Sequence, residues 1–315
     1  MAKYAIIRIA QAIPTLLLSS IFVFLTVRLI PGGPGRAMLG ADAPESQVKA
    51  LEASLGLDRP LPVQYVQWLW GVLHGNLGQS LVNGIPVVEL IGPKLEATLE
   101  LTIAALIVAT IVALALGVTS ALRARQLPDV IIGLVSSLLL GIPNFWLGLV
   151  LILVFAVGLN WLPAGGRVGI LVSFGLGLKF LILPAVTLGL GVGIVQSRYI
   201  RTSLLEVLNQ DYIRTARAKG LTSGAVVLRH AFRNALIPII TIFGLQIGGM
   251  LGGAVVVESV FGWPGLGRLL IDSINNRDYI VVQAGLLYLV TLFVLVNLAV
   301  DLMQGVIDPR ARRSE

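Results

Sequence analysis

The chain has 315 residues, 56% of them hydrophobic and only 12% charged, with a mean hydropathy of +0.91. So few charges cannot cover a soluble domain of this length, and the bilayer must be the solvent for most of it. The absence of cysteine excludes disulfides and thiolate metal sites. The net charge of +7 follows from sidedness, as shown below, so nucleic-acid binding is not needed to explain it.

Residues 1–30 carry the first apolar run, Ile9–Leu29. It is too long for the core of a cleavable signal, and Pro31-Gly32-Gly33-Pro34 follows it rather than a small-residue cleavage site, so it is expected to remain as an anchor helix. Residues 31–98 form the one sizeable polar insertion and read as an extracytoplasmic helical loop domain. Within it, Glu45–Leu55 is an amphipathic stretch stopped at Gly56, and Val63–Leu73 carries Trp68 and Trp70, residue types that favour the membrane interface. The bland reading is a helical cap on the headgroups; the functional one is a surface that seats an external partner.

Residues 99–306 read as the transmembrane core. Further apolar runs lie at Leu99–Leu122, Val130–Leu159, Leu181–Ile200, Leu236–Val257 and Ile280–Val306, each reaching the ~20 residues that cross a hydrocarbon core. The fold class is therefore all-α and polytopic, with about six transmembrane helices. Pro143 predicts a kink in the third run, or its division into two segments. Ala185, Gly189 and Gly193 recur every fourth position, as do Gly244, Gly248 and Gly252, and Gly249 with Gly253; such small-residue stripes predict close helix packing.

Between the fourth and fifth spans lies a polar, basic elbow, the loop 201–234. Asp211 is suited to cap a short helix that ends at Gly220, and Thr222 or Ser223 can start a second one, Ala225–Ile237, running to Pro238. Two short helices joined at a glycine make a knob able to receive force from a soluble partner. After the fifth span, Phe261-Gly262-Trp263-Pro264-Gly265-Leu266-Gly267 forbids a regular helix, whereas Arg268–Ile274 allows two turns; outer gate and plain turn both remain open. Residues 307–315 are a polar tail.

With the N-terminus inside, fourteen of the 23 Lys and Arg fall on cytoplasmic segments, among them Arg123, Arg125, Arg201, Arg214, Arg217 and Lys219. Both termini are then cytoplasmic. Arg28 and Arg198 lie near span ends, from which they can snorkel, and Asp301 is expected to find a helix-end partner rather than serve an ion relay.

The chain lacks its own energy source. None of its five lysines ends a Gly-Lys-Ser/Thr phosphate loop. An ion-coupled secondary transporter, the rival from another class, needs ionisable groups at mid-membrane, and the spans carry almost none. The two histidines, His74 and His230, fall on opposite sides, which disfavours metal or Ser-His chemistry. A purely structural scaffold is the third reading. The polar residues available to line a path are Asn144, Gln196, Gln246 and Asn297, with Trp263 in the gate-like turn; each polar one equally suits an interhelical hydrogen bond. By elimination the motor is a separate cytoplasmic protein.

The segment Gln210-Asp211-Tyr212-Ile213-Arg214-Thr215-Ala216-Arg217-Ala218-Lys219-Gly220-Leu221, with Arg229-His230-Ala231-Phe232-Arg233-Asn234-Ala235-Leu236-Ile237-Pro238, resembles the cytoplasmic loop of the dipeptide/oligopeptide/nickel family of ABC-transporter permeases. Leu55-Gly56-Leu57-Asp58, the Phe261–Gly267 motif, Arg277-Asp278-Tyr279 and Asp308-Pro309-Arg310 extend the resemblance over the whole chain. It implies a type I importer permease fold in the inner membrane, surrounded by lipid. It further implies that 211–224 is a coupling helix, with Asp211, Tyr212, Arg214, Thr215, Ala216, Arg217, Ala218, Lys219, Gly220 and Leu221 meeting an ATPase groove. The implied partners are a paralogous second permease, two cytoplasmic ATPase domains that hold the ATP and magnesium, and an extracytoplasmic solute-binding protein; no cofactor is expected on this chain. Arg214-Thr215-Ala216 stands where the general importer motif has Glu-Ala-Ala, and Gly33 and Asn76 stand where this branch often has Asp. Di- or oligopeptides are the first expected solute, with glutathione or a nickel chelate as alternatives.

Overall fold

The computed structural model describes residues 2–40, 42–218, 246 and 248–307. The described residues are helical, with one isolated bridge between Gln79 and Pro86 and no β-strand. In chain order the helices are α1 (Ala2–Arg28), α2 (Pro34–Leu39), α3 (Glu45–Ser54), α4 (Leu61–Leu73), α5 (Val87–Leu122), α6 (Leu127–Leu140), α7 (Asn144–Leu151, continued as a π-helical stretch Ile152–Gly158), α8 (Phe174–Leu208), α9 (Asp211–Ala218), α10 (Gly248–Val260), α11 (Leu266–Asn275) and α12 (Tyr279–Ile307). Among the described residues α1, α5, α8 and α12 are long and apolar enough to cross a membrane, and α6 with α7 makes a fifth span if the bent pair is taken as one. The expected fifth run, Leu236–Val257, lies partly outside the described residues; its described remainder belongs to α10.

The chain divides into two compact units. One comprises Ile9–Thr98 and Pro264–Leu295. Here the Pro31–Pro34 stretch turns the chain out of α1, with Gly32 and Gly33 at φ +86° and +83°, angles that side-chain-bearing residues resist. Gly56, at φ +67°, ends α3 in the way its sequence position predicted. Trp68 does not lie free on the headgroups: its ring sits 5.7 Å from Phe24 and 6.2 Å from Tyr65, whose hydroxyl meets Ser20 at 2.8 Å, so the α4 face belongs to a packed aromatic group. Val87 and Ile91 pack with Leu266, Val281 and Ala284 into a small core. Asp278, buried just before α12, accepts hydrogen bonds from the Ser80 hydroxyl and from Leu81 N.

The other unit comprises Met1–Arg8, Leu99–Trp263 and Val296–Glu315. Its centre is the α5–α8 pair. A Cβ placed on Gly189 would stand 2.4 Å from the Ala105 carbonyl oxygen, and one on Gly193 2.8 Å from that of Ala109. Gly117 in turn lies against Ser197 and Ile200. The paired numbers rise together along both helices, so α5 and α8 run parallel and nearly backbone to backbone. The small-residue stripe of α8 therefore packs as expected. Among the described residues the one on α10 does so only in part, since Gly253 meets Leu188 while Gly249 and Gly252 face no described atom within 4 Å.

Three boundaries differ from expectation. Helix α5 begins at Val87, not Leu99, because Glu89, Lys94 and Glu96 interrupt the apolar run without interrupting the helix. Helix α8 extends beyond Leu181–Ile200 at both ends for the same reason, taking in Lys179, Arg201 and Glu206. The third run is more than kinked. At Gly141-Ile142-Pro143 the axis turns by 101°, since Pro143 has no N–H to donate and pushes the residue before it out of helical geometry. Asp301 finds its helix-end partner in Arg8, at 3.7 Å, and its carbonyl accepts from the Tyr4 hydroxyl at 3.0 Å.

Candidate functional site

The chain leaves α8 at Leu208, turns through Asn209 and Gln210, and begins α9 at Asp211. Asp211 is the first helical residue rather than the expected cap: Ile213 N bonds to the Gln210 carbonyl at 3.1 Å, which draws position 211 into the helix. Its charge in the first turn still opposes the positive end of the helix dipole favourably. Among the described side chains of α9 the environment is one-sided. Ile213 is fully buried in a cluster with Ala113 and Ala121 of α5 and Ile200 and Leu204 of α8, whereas Asp211, Tyr212 and Thr215 are exposed. The α9 backbone also carries Arg214, Ala216, Arg217 and Ala218. Lys219, Gly220, Leu221 and the expected helix Ala225–Ile237 lie outside the described residues.

A polar clamp holds the helix ends beneath this attachment. Asp129, in the first turn of α6, accepts from Arg201 Nε and Nη2 of α8, both at 2.8 Å, from Arg125 N at 2.8 Å and from the Ser120 hydroxyl of α5. The fork-shaped guanidinium matches the carboxylate bidentately, so the clamp sets angle as well as distance. Three helices are thus joined one turn from the residues that seat Ile213. A cavity of about 490 Å³ opens beside it between α6 and α8, lined by Ser136, Ser137 and Arg198 as well as the clamp. Sequence reading had assigned Arg201 only to the basic excess and had missed Asp129. The signal existed: Asp129 is the sole acidic residue between Glu100 and Glu206 and falls in an otherwise basic turn.

Truncating Asp129 to alanine leaves Arg201 short of its counter-ion. Breaking a fully buried pair costs about 3–5 kcal/mol, and because the Arg201 side chain is 35% exposed the expected loss is nearer ~2 kcal/mol. Thermal unfolding of Asp129→Ala, Arg201→Ala and the double variant checks this. The double variant should lose clearly less than the two single losses combined.

The five path residues stand on separate elements. Asn144 is exposed at the start of α7, with Oδ1 facing Gly191; Gln246 and Asn297 are half-buried; Trp263 is fully buried in the turn before α11. Gln196 is fully buried on α8, and neither polar atom of its side-chain amide has a hydrogen-bond partner among the described residues.

Two family models match the chain: one described as the binding-protein-dependent transport system inner membrane component, over residues 113–313, and one for the N-terminal part of such membrane components, over residues 1–102. The glutathione transport system permease protein GsiC of Pectobacterium atrosepticum is 43% identical over 312 residues, and that of Salmonella typhi 42%; each comparison covers 99% of both chains. The dipeptide transport system permease protein DppB of Escherichia coli K12 is 41% identical over 341 residues, covering both chains completely. Apolar spanning helices, a terminal clamp and a one-sided short helix set on it thus occur in a sequence that aligns end to end with known permeases. The chain belongs to the binding-protein-dependent transport system inner membrane components, the permease subunits of ABC importers.

Proposed function

We propose that this permease passes small peptide-like solutes, of the dipeptide or glutathione class, and that α9 is where ATP-driven work enters it. The substrate reading is supported by relatives named for glutathione and dipeptide transport at 41–43% identity over their full length. The coupling reading is carried by one observation: Ile213 is sunk between the ends of α5 and α8, while Asp211, Tyr212 and Thr215 face outward. A helix that short cannot hold itself in isolation. Seated this way it moves only with the two helices beneath it, which the glycine contacts and the Asp129–Arg201 clamp join into one block.

In this reading residues 1–30 anchor the chain, 31–98 are extracytoplasmic, 99–306 form the transmembrane core with the 201–234 loop cytoplasmic, and both termini with the 307–315 tail are cytoplasmic. Two ATPase domains bind the ATP and magnesium, and this chain binds no cofactor. A paralogous permease completes the pathway, and a solute-binding protein delivers the solute from the far side. Gln196, Asn144, Gln246, Asn297 and Trp263 are the candidates for lining or gating it. Of these Gln196 is best placed, because its buried amide finds no partner among the described residues and is costly unless one is supplied elsewhere in the pathway.

The natural chain has no cysteine, so Tyr212→Cys or Thr215→Cys introduces its sole thiol. A membrane-impermeant maleimide should label either position only from the cytoplasmic face, and assembly with the ATPase subunits should block labelling. Reaction from the outer face would overturn the reading.

A further inference from the structure

The unit formed by Ile9–Thr98 and Pro264–Leu295 contains a charged cavity that coupling does not use. It measures about 300 Å³ and is lined by Arg28, Leu57, Gln64, Trp68, Asn76 and Gln283, among others. Arg28, the last residue of α1, does not snorkel as its position at a span end suggested. Its Nε donates to Gln64 Oε1 at 3.1 Å, its Nη1 to the Phe24 carbonyl at 3.2 Å and to Gln283 Oε1 at 3.3 Å, and its guanidinium stacks 3.6 Å from the centroid of the Phe24 ring. Every one of these partners is neutral. Among the described residues no carboxylate lies within ion-pair distance of Arg28. Gln64 is itself fixed from behind, its Nε2 donating to the carbonyls of Leu57 and Arg59.

Gln283 adds an independent sign. It is 7% exposed, and its buried Nε2 has no hydrogen-bond partner among the described residues. Its amide orientation is set by chemistry: a guanidinium only donates, so the oxygen must face Arg28 and the N–H₂ is left over. The cavity wall thus includes one uncompensated cation beside a glutamine whose buried amide N–H₂ meets no described acceptor. That pair asks for a ligand with a single negative charge and two acceptor atoms. A carboxylate meets both demands, whereas a doubly charged phosphate would find only one cation.

We propose that this cavity is a carboxylate-binding site, with Arg28 and Gln283 Nε2 holding the two oxygens of a carboxylate that comes from a small solute or from an acidic side chain of a docking protein. The choice of probes rests on the transport reading above; the site does not. Binding is measured on the complete transporter in nanodiscs without nucleotide, so failure here leaves the transport reading, tested by maleimide labelling, untouched.

Calorimetric titration with glycylglycine and with glycylglycinamide tests the first source, and docking of the solute-free binding protein tests the second. Glycylglycine should bind at least about tenfold more tightly than the amide, since the amide leaves the charge of Arg28 unmet. Gln283→Glu should abolish that difference, because it places the chain's own carboxylate against Arg28. This variant is nearly isosteric and gains an internal ion pair, so its melting temperature should not fall. Arg28→Lys should retain part of the preference. If glycylglycine binding is unaffected by Gln283→Glu but docking of the binding protein weakens about tenfold, the carboxylate is protein-borne and the site stands. If neither probe responds to Gln283→Glu or to Arg28→Lys, the proposal is wrong.

Discussion

Gly189→Val should remove folded permease from the membrane altogether. The added Cβ would meet the Ala105 carbonyl oxygen at 2.4 Å and the Val108 Cβ at 3.1 Å, and the first of these is backbone, which cannot rotate away. Overpacking a core costs ~1–3 kcal/mol where side chains can yield. Here the two helices must separate instead, and in lipid no hydrophobic force restores the lost van der Waals contact. The expected loss is therefore at the top of that range or above it, about 3 kcal/mol or more. Gly249→Val supplies the control, because no atom of the described residues lies within 4 Å of that position, and it should melt within a few degrees of the natural chain. Purification yield and thermal unfolding of the two variants decide the point. Equal stability of both would mean that α5 and α8 are not packed as described.

Ile213→Asp should disconnect the motor without dismantling the pore. The substitution puts a charge into the buried cluster that Ile213 shares with Ala113, Ala121, Ile200 and Leu204, so the short helix must leave its seat. The exposed residues Tyr212 and Thr215 survive in sequence, and the contacts of α5 with Gly189 and Gly193 of α8 do not involve Ile213. Coupling energies between sites are typically 1–3 kcal/mol, so uptake by the reconstituted transporter should fall by roughly tenfold or more, while ATP hydrolysis by its ATPases persists. Ile213→Val, which keeps most of the buried volume, should preserve uptake to within about twofold. Normal uptake by the aspartate variant would show that force does not pass through this seat.

Much of this architecture was legible in the residue order because bilayer thickness imposes a length on every apolar crossing. The runs, the helices between α1 and α5, the stop at Gly56 and the break at Pro143 all follow from local rules. Helix ends were less legible. Glu89, Lys94 and Lys179 look like span boundaries in a hydropathy reading, but they only mark where a continuing helix enters polar surroundings. The Asp211 cap was misread by one position, as local signals allow at any helix end. Comparison with relatives then fixed the family that the Asp211–Leu221 and Phe261–Gly267 motifs had suggested.

What the sequence determined by itself was the solvent, the approximate number of crossings, the absence of a nucleotide loop and the family, all of which depend on runs and motifs within short windows. Only the tertiary structure decided that Asp129 clamps Arg201 across 72 positions, that Arg28 shares its guanidinium with Gln283 across 255, and that Ile213 is the seated side chain of α9. The reason is physical. A charge in a helix is equally compatible with snorkelling, an ion pair or a ligand site until the groups opposite it are known, and those groups arrive from distant segments when the chain packs.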